Sequence, residues 1–124
     1  MCYNKVTLKG ENKPKGKTKN VLQSMPVVAE AMRYLQDSIT RLKRDKYDVV
    51  LIVHGYGSTG KGGAICQKAR QWLKAQERGG KVKQVIFGED FTLFNFDALA
   101  LKNKCRDLEP LLRVSNHGVT VVEL

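Results

Sequence analysis

The sequence predicts an α/β fold whose core strands run parallel and are joined by covering helices. Three observations carry that expectation. Val49 to Val53 is an unbroken run of Val, Leu and Ile of strand length, as a central strand buried on both faces requires. Apolar stripes of helical period lie on either side of it, within residues 24–46 and 64–78. A further apolar segment, Val82 to Phe87, follows the second stripe. The order through Phe87 is therefore strand, helix, strand, helix, strand, the pattern of right-handed crossovers between parallel strands. With 124 residues the chain is expected to form one domain, 1–124, large enough for a core of its own.

Taken in order, Val6-Thr7-Leu8 alternates and reads as a first strand near a sheet edge. Residues 9–20 follow with five lysines, Lys9, Lys13, Lys15, Lys17 and Lys19, against one glutamate and no apolar side chain except Pro14. Such a stretch has nothing to bury against the cost of ordering it, so a mobile basic loop is expected. It is either a solvated spacer or a set of phosphate contacts that need no fixed conformation. Ser24 and Pro26 suit a helix start, and Val28, Ala31, Met32, Leu35, Ile39 and Leu42 make one stripe along that helix. Arg41, Lys43, Arg44 and Lys46 gather at its C-terminal end, where cations complement the helix dipole.

The second helix, from Ala64 to Arg78, buries Ile65, Ala69, Trp72 and Leu73, shows Lys68, Lys74 and Arg78 to solvent, and stops at Gly79-Gly80. Between Gly88 and the end, a helical segment at about 92–113 is expected, capped by Asn95 or Asp97 and ended or broken at Pro110. Phe91, Leu93, Phe94 and Phe96 cluster ahead of it, and a satellite core is favoured there over a base-stacking platform. After the turn Ser115 to Gly118, the run Val119 to Leu124 is the last strand.

Composition narrows the partners. Lys and Arg number 22 against 12 Asp and Glu, a formal charge of +10, which favours a polyanion such as DNA or RNA over other partners. The chain starts without an apolar leader and contains no run of 18 apolar residues, so a cytoplasmic protein without a membrane partner is expected. Cys2, Cys66 and Cys105 are odd in number and widely spaced, which speaks for free thiols rather than a zinc site or a disulfide framework. Oligomeric state is left open.

Chemistry concentrates after the central strand, where His54 is followed by Gly55, Gly57, Gly60, Gly62 and Gly63 with Lys61 among them. A strand, a glycine loop and a helix N-terminus combine free backbone N–H groups with the positive end of a dipole, an anion-binding geometry. Gly55-Tyr56-Gly57-Ser58-Thr59-Gly60-Lys61 also satisfies the G-x-x-x-x-G-K pattern of nucleotide-binding loops. Gly62, however, stands where a Ser or Thr would hold magnesium, and the only apolar strand that could supply a distal Asp, Val82 to Phe87, is followed by Gly88-Glu89-Asp90 without a supporting second signal.

Another resemblance takes in more of the chain. His54-Gly55-Tyr56-Gly57, then Gly63-Ala64-Ile65 and Ala69-Arg70-Gln71-Trp72-Leu73, resembles the H-G-x-G and G-x-L-R motifs of the Smr (small MutS-related) domain. Gly118-Val119-Thr120-Val121-Val122-Glu123-Leu124 is similar to that family's G-A-T-V-V-x-L ending. The family's L-D-x-H-G motif corresponds only to Val6-Thr7-Leu8-Lys9-Gly10. The resemblance implies a two-layer α/β sandwich with a mixed four-stranded sheet in the order β-α-β-α-β-(α)-β, similar to the C-terminal domain of translation initiation factor 3. The helical segment at about 92–113 is then an insertion.

The resemblance also implies nucleic-acid binding and, because some members cleave DNA or RNA, leaves weak endonuclease activity open for this chain. Here Thr7 and Lys9 replace the acid and His of the first motif, and Cys66 falls where an Arg would clamp a transferring phosphoryl group, with Arg70 or Lys61 as its substitute. The expected site is thus a phosphate-binding set: Lys9, the loop His54 to Gly62, Arg70 and the lysines of residues 13–19. His54 alone has a pKa suited to acid or base work. No cofactor is implied, and a divalent metal enters only for a nuclease. The alternatives are a nucleotide-binding protein and a protein-interaction module.

Overall fold

The structure, a computed structural model, describes residues 3–8, 24–55, 61–113 and 116–124. Four strands form one sheet: β1 (Tyr3–Thr7), β2 (Val49–Val53), β3 (Gln84–Phe87) and β4 (Val119–Glu123). Three α-helices accompany them, α1 (Ser24–Arg44), α2 (Lys61–Arg78) and α3 (Phe96–Lys104), together with a 3-10 turn at Gly88–Asp90 and a 3-10 helix at Arg106–Arg113. The spatial order is β1-β2-β4-β3. β1 lies parallel to β2, with Thr7 opposite Val53, while β4 lies antiparallel to both β2 and β3. β2 and β3 therefore share a direction, as the crossover pattern requires, but do not touch, because the last strand enters between them. The sheet is mixed, and β1 is an edge strand, as expected.

The strands alternate between two apolar faces. Val6, Leu8, Val50, Ile52, Val85 and Val122 pack under α1 and α2 with Leu35, Ile39, Leu42, Ile65, Ala69 and Leu73, and Trp72 packs against this core rather than standing free. On the other face, Val49, Leu51, Ile86, Val119 and Val121 meet Phe91, Ala98, Leu101, Leu108 and Leu112. The segment between β3 and β4 thus adds a layer over the second face of the sheet. Without it the odd-numbered positions of β2 and β4 would stand in water, which is the physical reason β2 reads as an unbroken apolar run. The layer does not extend over β1, where Lys5 and Thr7 are exposed.

Local signals set the ends of these elements. Asn95 caps α3, its side chain accepting from the backbone N–H groups of Asp97 and Ala98. Gly80, with φ of +77°, closes α2. Three expectations need correction. Pro110 does not end the helical segment: the break comes at Cys105, whose backbone is extended, and the following 3-10 helix runs through the proline. The aromatic cluster divides, with Phe91 fully buried while Leu93, Phe94 and Phe96 are exposed, Phe94 at 96%. The thiols divide as well. Cys66 is free and buried, whereas Cys105 is disulfide-bonded, contrary to the expectation of free thiols. Among the described residues no helix is long and apolar enough to cross a membrane.

Candidate functional site

The C-terminal ends of β1, β2 and β3 and the start of β4 lie together at one end of the sheet. His54 and Gly55 leave β2 there, and both donate their backbone N–H groups to the carbonyl of Gly118, at 2.9 and 3.0 Å. Gly55 has φ of +71°, a conformation that disfavours any side chain. Leu8, which follows β1, donates to the carbonyl of Val53, so Val6 to Leu8, the described part of the stretch resembling the first Smr motif, runs alongside the strand that leads to His54.

His54 is 2% exposed and both of its ring nitrogens are engaged. Nδ1 lies 2.5 Å from the carbonyl oxygen of Gly55, which can only accept, so Nδ1 carries the proton. Burial lowers the imidazole pKa and Arg70 adds to the effect, against the opposing pull of the Gly55 carbonyl and of Glu89; the ring is neutral near pH 7. Nε2 is then an acceptor, and Thr120 Oγ1 donates to it at 2.8 Å. The same hydroxyl oxygen accepts from Arg70 Nε at 3.0 Å. A directed chain results, Arg70 to Thr120 to His54 to the Gly55 carbonyl.

Arg70 stands on α2 and closes the chain on its other side. Its Nη1 and Nη2 bind the Glu89 carboxylate in two places, at 2.8 and 2.7 Å, and Nη2 also donates to the carbonyl of Val119 at 2.9 Å. The guanidinium lies 4.1 Å from the centre of the Phe87 ring. Burial raises the Glu89 carboxyl, but the hydrogen bonds from Arg70 and a backbone N–H, with the charges of Arg70 and His117, outweigh it and hold the group below the usual carboxylate range. Glu89 reaches this position because Gly88 turns the chain against β4: a Cβ on Gly88 would lie 2.1 Å from the carbonyl oxygen of Asn116. Cys66, where the Smr pattern has Arg, is buried, and burial raises its thiol pKa, so it is protonated and unsuited to attack.

Of the residues singled out in the sequence, the structure brings His54, Gly55 and Arg70 together and starts α2 at Lys61. Tyr56, Gly57, Ser58, Thr59 and Gly60 lie outside the described residues, as do the side chain of Lys61 and the basic stretch with Lys9, Lys13, Lys15, Lys17 and Lys19. Arg70, a candidate phosphate ligand, has its donors engaged inside the protein. Glu89, a candidate magnesium ligand in a nucleotide-binding reading, is held by Arg70. Sequence reasoning assigned Thr120 no role; its one signal was a lone hydroxyl in an apolar strand, and it is fully buried. Among the described residues no group of three or more His, Cys, Asp or Glu is placed to hold a metal.

Three comparisons with known proteins bear on this arrangement. The family model for the Smr domain matches residues 22–89, from ahead of α1 to Glu89. No curated protein matches the chain. Among solved structures, the crystal structure of the Smr domain of Thermus thermophilus MutS2 superposes with a TM-score of 0.55 at 20% identity, covering 98% of this chain and 96% of that one. At that identity the likeness speaks for the fold.

Proposed function

Because the chain belongs to the Smr domain family, whose model matches more than half of its length, we propose that it is a nucleic-acid-binding domain that holds a backbone phosphate at the loop from His54 to Gly63. The observation that carries this reading is the join of β2 to α2. β2 ends in a backbone anchored on Gly118, and α2 begins at Lys61, so the positive end of the α2 dipole follows the loop in a protein of charge +10. Lys9 and the lysines of residues 13–19 add affinity that does not depend on base sequence.

Binding occurs without strand cleavage. The acid and His of the family's first motif are Thr7 and Lys9 here. His54 is neutral, buried and engaged through both nitrogens, so it offers no proton and accepts none from a ligand in this arrangement. Its part is to hold the Gly55 carbonyl and thereby the start of the loop.

Fluorescence anisotropy with labelled RNA and DNA tests the reading. Affinity is expected to fall steeply between about 50 and about 200 mM salt. Gly57→Val and Lys61→Glu should each weaken binding with an unchanged melting temperature, and replacing Lys13, Lys15, Lys17 and Lys19 together should flatten the salt slope. Absence of binding at low salt would sink the proposal. Nicking of supercoiled DNA or cutting of labelled RNA with magnesium or manganese, lost in His54→Ala, would make the domain a nuclease instead.

A further inference from the structure

Building on the phosphate-binding reading of the loop, we propose that the nucleic-acid strand continues from the loop along α2. It would lie in the groove between α2 and the edge strand β3, with its phosphates on Lys74 and Arg78 and its bases or sugars against Gln67 and Gln71.

Three surface grooves differ in charge. The one between α1 and the end of β1 includes Glu30. The one beside the exposed Phe94 and Phe96 is lined by Glu89, Asp90 and Asp97, so its aromatic rings stand among carboxylates that repel a polyanion. The third, about 730 Å³, is lined by Arg70, Lys74, Arg78, Gln67, Gln71 and Phe87 among its residues, and among the described residues no carboxylate lines it. Cations for phosphates, amides for base edges and an aromatic floor suit a nucleic-acid strand rather than a lipid or an acidic cofactor.

Spacing and continuity agree with that occupant. Arg70, Lys74 and Arg78 recur every four residues, so they form a row along one side of α2 with successive cations about 6 Å apart along the axis, in reach of successive phosphates on an extended strand. Arg70 marks the near end, tied through Thr120 to His54, where the loop begins. Its own donors are engaged, so the contacts fall to the residues beyond it. Lys74 pairs with Glu77 at 2.9 Å, yet its side chain stays 43% exposed. Arg78 is exposed and makes no ion pair among the described residues. The backbone edge of β3 does not invite an added peptide strand, because the Glu77 carboxylate accepts the Val85 N–H at 2.9 Å.

The test compares Arg78→Glu with Arg33→Glu, an exposed site on α1 whose substitution removes the same charge. Both full-length variants and the parent are titrated against fluorescein-labelled oligo-dT and oligo-U of increasing length. Arg78→Glu is expected to lower affinity roughly ten-fold and to reduce the slope of log affinity against log salt by about one unit. It should also abolish the gain in affinity that the parent shows as the oligonucleotide lengthens. Arg33→Glu should change affinity less than two-fold, about the scale of a distant surface charge. Gln71→Glu, which places a carboxylate midway along the groove, should act like Arg78→Glu. Equal effects of Arg78→Glu and Arg33→Glu would show that only overall charge matters and would overturn the path while leaving phosphate binding at the loop intact. A parent that binds none of the oligonucleotides would remove the loop reading itself.

Discussion

Arg70 and Arg78 stand two turns apart on the same helix, and their surroundings give them opposite work. The Arg70 side chain is 14% exposed, and its guanidinium bonds Glu89, Thr120 and the Val119 carbonyl. Arg78 ends the helix in solvent. The difference teaches that charge on this surface must be sorted by burial before it is assigned to a ligand. A desolvated cation with a two-point carboxylate partner ties elements together, and an exposed one is free to meet a phosphate.

The comparison breaks most visibly at Arg70. Arg70→Met would leave the Glu89 carboxylate partly buried without its partner and the Thr120 hydroxyl without a donor, a loss of about 3 kcal/mol in urea unfolding. The double variant Arg70→Met/Glu89→Met should recover most of it. A single variant as stable as the parent would mean that Arg70 is available to a ligand after all. Gly88→Ala attacks the same network from the turn that presents Glu89: its Cβ would press on the Asn116 carbonyl and the Val119 side chain, and a cost of about 2 kcal/mol is expected in the same assay.

Acid sharpens the contrast. The His54 pKa is depressed by burial, so as pH falls below about 6.5 the unfolded chain takes up a proton that the folded one refuses, and stability declines until the folded pKa is reached. Glu89 acts in the same direction lower down. Its carboxyl is depressed by Arg70 despite burial, so its contribution is complete above about pH 4.3 and is lost as pH falls through its lower folded value. Urea melts between about pH 8 and about pH 5 should lose at most about 1.4 kcal/mol per pH unit through His54, and His54→Gln should flatten that leg. A parent curve that is flat across this range would show that His54 is not held neutral. The smallest change in stability belongs to Arg78→Glu, at no more than about 1 kcal/mol, since an exposed charge loses only its favourable interactions with the helix dipole and the nearby Glu77 carboxylate. A larger loss would place Arg78 among the residues that hold the fold.

Much of this was legible in the sequence. The unbroken run Val49 to Val53, the stripes of α1 and α2, the stop at Gly79-Gly80, the Asn95 cap and the last strand are set by the periodicity and backbone preferences of neighbouring residues, and these act over a few positions. The order β1-β2-β4-β3 was not, because pairing between strands leaves no mark in local spacing. The exposure of Phe94 and Phe96 was hidden for a related reason. Their hydrophobicity predicts burial, and only the direction in which the chain leaves Phe91 for Asn95 decides that they face water. The site divides in the same way. His54, the glycine loop and the basic charge could be read directly, but Arg70 meets Glu89 across 19 positions and Thr120 across 50, and Thr120 meets His54 across 66. Contacts at such separations exist only once the sheet has formed, so the residue types are written in the chain while the assignment of Arg70 to structure and of Arg78 to solvent is made by tertiary packing.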